Sequence, residues 1–416
     1  VLKDESRGGT SGAQARLRNL VVIGEIALSM VLLVGGGLML QSLRQLLKQD
    51  PGFDAQHLLT FGVNLPGASY PRAKVWPFAN PTGLRFEHEF VERLRSVPGV
   101  MGVSSVSGLP VSENRSRNRF VIEGRATTEG HEEACTSRRV GTDYFAVMKI
   151  PLVAGRVFTA SDAPDAPPVA IVNQAWVKRY AGGLDPIGRR VRLTFSPSEP
   201  FRQIVGVVGD VAEDNLAVPP PPVMYFPLDQ DSGFTIFLGY VVRSRQDPEA
   251  LVPSVRAILR GLDPQLAIAE PRSMEQIVNQ SPAVFLRRYP FYLIGCFATV
   301  ALVLAMIGLY GLISYSVLRR TREIGIRLAL GAQREDILRL ILQQGVIASL
   351  AGVGLGLAGA LASTRALASL LYGINWGDWT IFAGVAVFLA AIAITASYIP
   401  ARRAMQVNPM VALRNE

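Results

Sequence analysis

The chain holds 416 residues, 49% of them apolar, with a formal charge of +9 and two cysteines. Cys135 and Cys296 form no CxxC pattern, which excludes a disulfide framework and a cysteine-based metal or redox motif. The excess charge lies in residues 1–20, residues 319–340 and the stretch after Ile399, which carry thirteen basic and six acidic residues; the remainder is close to neutral, which argues against a nucleic-acid-binding face.

In chain order, residues 1–20 form a basic lead. Val21–Leu40 follows as a run of 20 residues with Glu25 as its only charge. About 20 apolar residues cross a bilayer, and backbone in lipid must satisfy its own hydrogen bonds, so such a run predicts a helix. It lies too far from the start, and lacks the small-residue cleavage site, for a signal peptide. It reads as a retained span over residues 21–43. An acid within a span is a functional candidate by default. Glu25, one turn from the basic end, is expected to reach the interface or to pair with Arg16 or Arg18. Gly35-Gly36-Gly37 is expected to serve close packing or flexibility. The chain begins at Val1, as a piece of a longer protein would.

Residues 44–287 read as a mixed α/β insertion. Asp50-Pro51-Gly52-Phe53 is a turn. Leu84, Phe90, Val91 and Leu94 have helical spacing, stopped by Pro98-Gly99. Val169–Val172, Ile204–Val208 and Thr235–Val242 are rich in strand-forming residues. Asn173 can cap a short helix over Gln174–Tyr180, and Asp247-Pro248 can open another through Leu251, Val255, Ile258 and Leu259. Pro164–Pro168 and Pro219–Pro222 are stiff connectors. The strand order cannot be read. No chemistry is evident: His57, His88 and His131 are scattered, His131-Glu132-Glu133 reads as a loop, and zinc-ligand spacing is lacking. The serines around Ser104–Ser107 lack a nucleophile elbow. The insertion reads as a binding or coupling body.

Three further apolar runs, Phe291–Leu318, Ile341–Ala362 and Ile381–Ile399, carry no charge. They predict spans at about 289–318, 340–363 and 380–400, joined by a loop over 319–339 and followed by a tail over 401–416. Four spans place the three basic segments on one side, and Lys and Arg accumulate in short cytoplasmic loops. Both ends and the 319–339 loop are therefore expected in the cytoplasm, with the insertion outside. Gly354-Leu-Gly356-Leu-Ala-Gly359 matches a dinucleotide fingerprint literally. It lies inside an apolar span instead of between a strand and a helix, so the match is rejected. Ala348, Gly352, Gly356, Ala360 and Thr364 recur every fourth residue and predict a helix-packing stripe. Within the loop, Ile324, Leu328 and Leu330 oppose Arg322, Glu323 and Arg327. This predicts a short amphipathic helix at the membrane surface, ended by Gly331.

The loop carries a resemblance. Thr321-Arg-Glu-Ile-Gly-Ile-Arg-Leu-Ala-Leu-Gly-Ala332 resembles the signature of MacB/FtsX-type ABC transporter permeases. Pro400-Ala-Arg-Arg-Ala404 and Asn408-Pro-Met-Val-Ala-Leu-Arg414 resemble the family's ending. Asp185-Pro-Ile-Gly-Arg-Arg190 and Ile204-Val-Gly-Val-Val-Gly-Asp210 resemble its MacB-like periplasmic core domain. The lead Leu2-Lys-Asp, Arg7-Gly-Gly and Arg16-Leu-Arg, with Asp50-Pro-Gly-Phe53, is similar to the C-terminal half of duplicated, acidobacterial-type permeases.

The resemblance implies an α-helical membrane protein with four transmembrane helices in a 1+3 arrangement. The inserted mixed α/β extracytoplasmic domain would be of MacB periplasmic-core type, and residues 288–416 would form an FtsX-like permease domain. It implies an inner (plasma) membrane location in bacteria, contact with membrane lipid, and a second permease half, fused or homologous. A cytoplasmic ABC ATPase subunit would supply the ATP and Mg sites, since this sequence lacks a Walker A motif; no cofactor is expected in this chain. A periplasmic or outer-membrane partner would fit the same scheme. Arg322, Glu323, Gly325, Arg327 and Gly331 would couple the loop to the ATPase. The resulting motion would serve export, or transmit a signal in the FtsX manner.

Overall fold

In the computed structural model, the described residues are 7–73, 79–111, 117–125, 133–196, 198–234, 237–329, 333–366 and 379–404. They divide into two compact units. One comprises residues 1–47 with 286–416, the other Lys48–Phe285.

The first unit is built from helices: α1 (Arg7–Leu47) before the insertion, and α7 (Pro282–Ala329), α8 (Arg334–Ala366) and α9 (Trp379–Ala404) after it. Each contains a stretch long and apolar enough to cross a membrane: Arg16–Leu47, Arg288–Arg319, Gly345–Thr364 and Trp379–Pro400. The first stretch is longer at both ends than the 21–43 span expected from composition. Val22, Ile26, Leu309, Ile313, Ala348 and Ala393 form one interhelical core. Met30, Val34, Leu38, Ala360, Phe382 and Leu389 form a second.

The expected short helix in the 319–339 loop is not a separate element. Helix α7 runs unbroken for 48 residues to Ala329, and α8 resumes at Arg334. The reason is local. Between Leu318 and Leu330 the chain offers Arg, Glu, Leu, Ile and Ala, with Gly325 as its weakest helix former, and one glycine costs only about 1 kcal/mol. At 1.5 Å per residue α7 is roughly 72 Å long, more than twice the ~30 Å hydrocarbon core of a bilayer. It must therefore project well beyond any membrane it crosses.

The second unit contains eleven strands, among the described residues, in two lobes. The open lobe is a four-stranded antiparallel sheet ordered β11 (Ile268–Ser273), β1 (Leu58–Asn64), β10 (Phe237–Ser244), β2 (Val100–Val106). Helices α2 (Pro81–Arg95) and α5 (Val252–Leu262) pack on it around Phe61, Phe90, Leu94, Tyr240, Val255 and Leu259. Phe61 and Tyr240 are register partners on β1 and β10 and stack at 5.3 Å. The start and stop of α2 follow the sequence signals. Asn80 Oδ1 accepts a hydrogen bond from the Gly83 amide at 2.8 Å, Pro81 holds the first position, and the helix ends ahead of Pro98.

In the second lobe the pairings close a ring. The strands β4 (Glu133–Val140), β3 (Arg117–Ile122), β7 (Arg190–Leu193), β8 (Arg202–Val208), β6 (Val169–Asn173) and β9 (Val223–Pro227) follow one another, and β9 returns to β4 in parallel. Helix α3 (Tyr144–Met148) follows β4, strand β5 (Leu152–Gly155) lies on β8, and helix α6 (Met274–Asn279) follows β11. Helix α4 (Gln174–Tyr180) is capped by Asn173, whose side chain accepts from the Trp176 amide at 3.0 Å. It seats Trp176 and Tyr180 against Phe120. Among the described residues, strand pairing between the lobes is confined to Val106 of β2 and Val140 of β4.

Two local expectations change. Glu133 opens β4 instead of continuing a loop, while His131 and Glu132 lie outside the described residues. The helix opened by Asp247 begins as a 3-10 turn over Pro248–Leu251 before α5. Strand β10 is described from Phe237, so Thr235 and Ile236 lie outside.

Candidate functional site

The residues singled out in the sequence fall into three places. Arg322, Glu323, Gly325 and Arg327 occupy the last turns of α7, while Gly331 lies outside the described residues. Ile326, in the same turns, is 44% exposed. These positions ride on the same continuous helix as the apolar stretch Arg288–Arg319.

The small-residue stripe of α8 lies against α1. Ala348, Gly352, Gly356 and Ala360 are all buried. A β-carbon at Gly352 would stand 2.7 Å from Ile26 Cβ and 3.1 Å from the Ile23 carbonyl oxygen; one at Gly356 would stand 2.9 Å from the Ala27 oxygen. Neighbouring Gly354, off the stripe, meets nothing within 4 Å. The spacing therefore separates a face pressed on α1 backbone from one that is not. Gly345 extends the contact, since its β-carbon would meet Ser397 Oγ of α9 at 2.7 Å; the four-residue spacing alone does not single it out. In the triplet Gly35-Gly36-Gly37 only Gly37 is tightly met, by Ile381 Cγ2 at 2.9 Å.

Glu25 departs from the expected pairing. Among the described residues it has no ion pair, and Arg18 lies instead over the Tyr315 ring, 3.9 Å from its centroid. Its Oε2 is buried against Gly308 of α7 and makes no hydrogen bond there. Glu25 borders an apolar hollow of about 350 Å³ with Leu28, Leu32, Phe297 and Val300. Arg18 lies seven residues, or two turns, away on the same helix, where an aromatic face offers a cation–π contact.

In the inserted domain, the resembling motifs turn out to hold one another. The Gly188 amide donates to the Ile204 oxygen at 2.9 Å, and the Ile204 amide donates to the Arg189 oxygen at 2.8 Å. The Ala212 amide donates to the Pro51 oxygen at 2.9 Å. Gly52, at φ +83°, has the Asp210 carbonyl where a side chain would be, so this turn requires glycine. These motifs do structural work. Burial pushes the Cys135 thiol well above its ordinary range, which leaves it no nucleophilic character. No cluster of three metal-ligating side chains occurs among the described residues.

A polar hollow of about 530 Å³, which no sequence motif marks, lies between the lobes and is lined by Glu87, His88, Arg95, Ser104, Asp143 and Asp229 among others. Glu87 is buried in α2 and its Oε1 accepts from Ser105 Oγ at 2.6 Å. Burial raises its carboxyl to about 7. His88, with its side chain largely exposed, lies 2.7 Å from Asp229. A carboxylate on the buried face of an amphipathic helix was the available signal: Glu87 falls four residues before Val91.

Four helices long and apolar enough to cross a membrane, with a mixed α/β unit between the first and second in the chain, are the make-up of an integral membrane protein. Residues 20–258 match the family model for the MacB-like periplasmic core domain, and residues 295–409 that for the FtsX-like permease C-terminal region. The chain belongs to the MacB/FtsX-type ABC transporter permeases, an integral inner-membrane family with a periplasmic domain. It is 26% identical over 409 residues to the pyoverdine export ATP-binding/permease protein PvdT of Pseudomonas syringae pv. tomato, covering 95% of this chain and 56% of that protein. It is 26% identical over 340 residues to the ABC transporter permease YknZ of Bacillus subtilis, covering 79% of this chain and 80% of YknZ. The macrolide export ATP-binding/permease protein MacB of Sodalis glossinidius is 30% identical over 303 residues, or 67% of this chain and 43% of MacB. The chain thus spans about half the length of the PvdT and MacB proteins it matches. Among solved structures, the periplasmic region of MacB from Actinobacillus actinomycetemcomitans aligns with a TM-score of 0.37 at 15% identity, covering 56% of this chain and 95% of that one.

Proposed function

We propose that this chain is the membrane subunit of an export system in which a separate ATPase subunit supplies the energy and the inserted domain moves the cargo. The supporting observation is α7, a single helix that carries Arg322, Glu323, Gly325 and Arg327 at one end. The other end begins directly after the inserted domain's last elements in the chain. A continuous helix transmits displacement along its axis with little loss, whereas a flexible loop would absorb it. In this reading the helices span the inner membrane in a 1+3 arrangement with both termini cytoplasmic. The end of α7 docks on the ATPase, and Gly331 ends the docking segment. A second permease half completes the assembly, and ATP and Mg are held by the ATPase. Residues 44–287 are the extracytoplasmic domain and residues 288–416 the permease domain. The export-related names of PvdT and MacB favour transport over pure signal transmission.

Glu323→Lys tests the docking role. With the ATPase and both permease halves in proteoliposomes, the substitution should abolish transporter-stimulated ATP hydrolysis while membrane insertion stays normal. Stimulation equal to that of the unaltered protein would refute it.

A further inference from the structure

We propose that the cleft between the two lobes of the inserted domain binds the protonated amine of a small organic cation. The inference goes beyond the export reading and holds whether or not the chain works with an ATPase.

The cleft is formed where α2 and β2 of the open lobe face the turn after β4 and the residues after β9 of the ring lobe. Four carboxylates line it, Glu87, Glu92, Asp143 and Asp229, against the guanidinium of Arg95 and the imidazole of His88. Both groups are engaged at the rim. Arg95 donates to Glu92 at 2.6 Å and also to Asp143, and His88 lies 2.7 Å from Asp229. The buried Glu87 carboxylate is held more loosely, with the His88 imidazole at ion-pair distance only. Glu87 receives the Ser105 hydroxyl on Oε1, and its Oε2 stands 3.8 Å from His88 Nε2, beyond hydrogen-bond distance. The Ser104 hydroxyl lines the same hollow; it is buried, with the residue 2% exposed, and makes no hydrogen bond among the described residues.

An unpartnered buried hydroxyl and a carboxylate oxygen with spare acceptor capacity are costly unless a donor meets them. An ammonium brings three N–H donors, enough for both groups that line the hollow. An anion would face net negative charge. Among the described residues a metal ion would find no group of three ligating side chains. Val91, Val103 and Leu228 supply an apolar wall for the body of the ligand, and a volume near 530 Å³ suits a small molecule.

The proposal carries a pH dependence. Only ionised Glu87 can hold a cation, and burial raises that carboxyl to about 7, with the Ser105 hydroxyl, His88 and Arg95 opposing the rise and Asp229 adding to it. Cation and proton therefore compete, and affinity should rise about tenfold from pH 6 to pH 8. Calorimetric titration of the full chain in lipid nanodiscs, with empty nanodiscs as blank, tests this using benzylamine and its neutral counterpart benzyl alcohol. One benzylamine per chain should bind at pH 8, about tenfold more weakly at pH 6, with no saturable binding of the alcohol. Glu87→Gln should lose both the binding and the pH dependence. Ser104→Ala, a smaller change, should weaken binding severalfold and decides the matter if the first variant does not fold. Equal binding of the alcohol, unchanged affinity in either folded variant, or binding of zinc or calcium without binding of the amine would each overturn the proposal.

Discussion

Arg138 and Arg139 are neighbours in β4, yet each is buried and each has its own acid. Successive strand residues face opposite sides, so two adjacent charges in a strand covered on both faces need two separate partners. Arg138 Nη2 meets Glu213 Oε2 at 2.7 Å, and Arg139 Nε meets Asp231 Oδ2 at 2.8 Å. Burial pushes the Glu213 carboxyl above its ordinary value even with Arg138 beside it. The pair thus offsets desolvation instead of adding much stability. Breaking it is another matter. Glu213→Ala should destabilise the inserted domain by about 3–5 kcal/mol, because a buried guanidinium loses its carboxylate. Replacing both partners, as in Arg138→Met with Glu213→Leu, should recover most of that loss. Denaturant unfolding of the two variants checks the contrast, and equal losses would show that packing dominates. None of this was legible beforehand: Glu-Ala-Cys-Thr-Ser-Arg-Arg-Val over residues 133–140 lacks the apolar alternation of a strand, and β4 forms because β3 and β9 flank it.

At the scale of elements, helices were more legible than strands. Their caps and apolar periods are local, as at Asn80, Asn173 and Asp247. Strand pairing is not: β1 finds β10 across more than 170 residues. The stripe on α8 makes a direct test. Gly356→Leu would drive a side chain into the Ala27 carbonyl and Met30 of α1, an overpacking cost of about 1–3 kcal/mol. Gly354→Leu enters open space. The first should lower the resistance of the helical unit to unfolding in SDS, and the second should leave it unchanged. Matching behaviour of the two would remove the packing role from the stripe. The same locality misled at 319–339, where opposed apolar and charged residues described a helix correctly but gave no sign that it was fused to the one before.

For the whole molecule, the charge map predicts an orientation that can be measured. An epitope placed after Gly331 should be reached by antibody only in opened cells, and one at the exposed turn Gly182-Gly183 should be reached from outside. The opposite labelling would invert the topology. Four apolar runs, the rejected dinucleotide match and the permease resemblance all followed from sequence, because membrane spans depend on length and hydrophobicity within one contiguous segment. The closing of six strands into a ring, the cleft between the lobes and the isolation of Glu25 came only from the tertiary structure. Each depends on which distant residues meet. Glu87 shows the difference most plainly: as a letter it is one more acid on a surface helix, and only packing against β2 removes it from water and sets its hydrogen bond to Ser105.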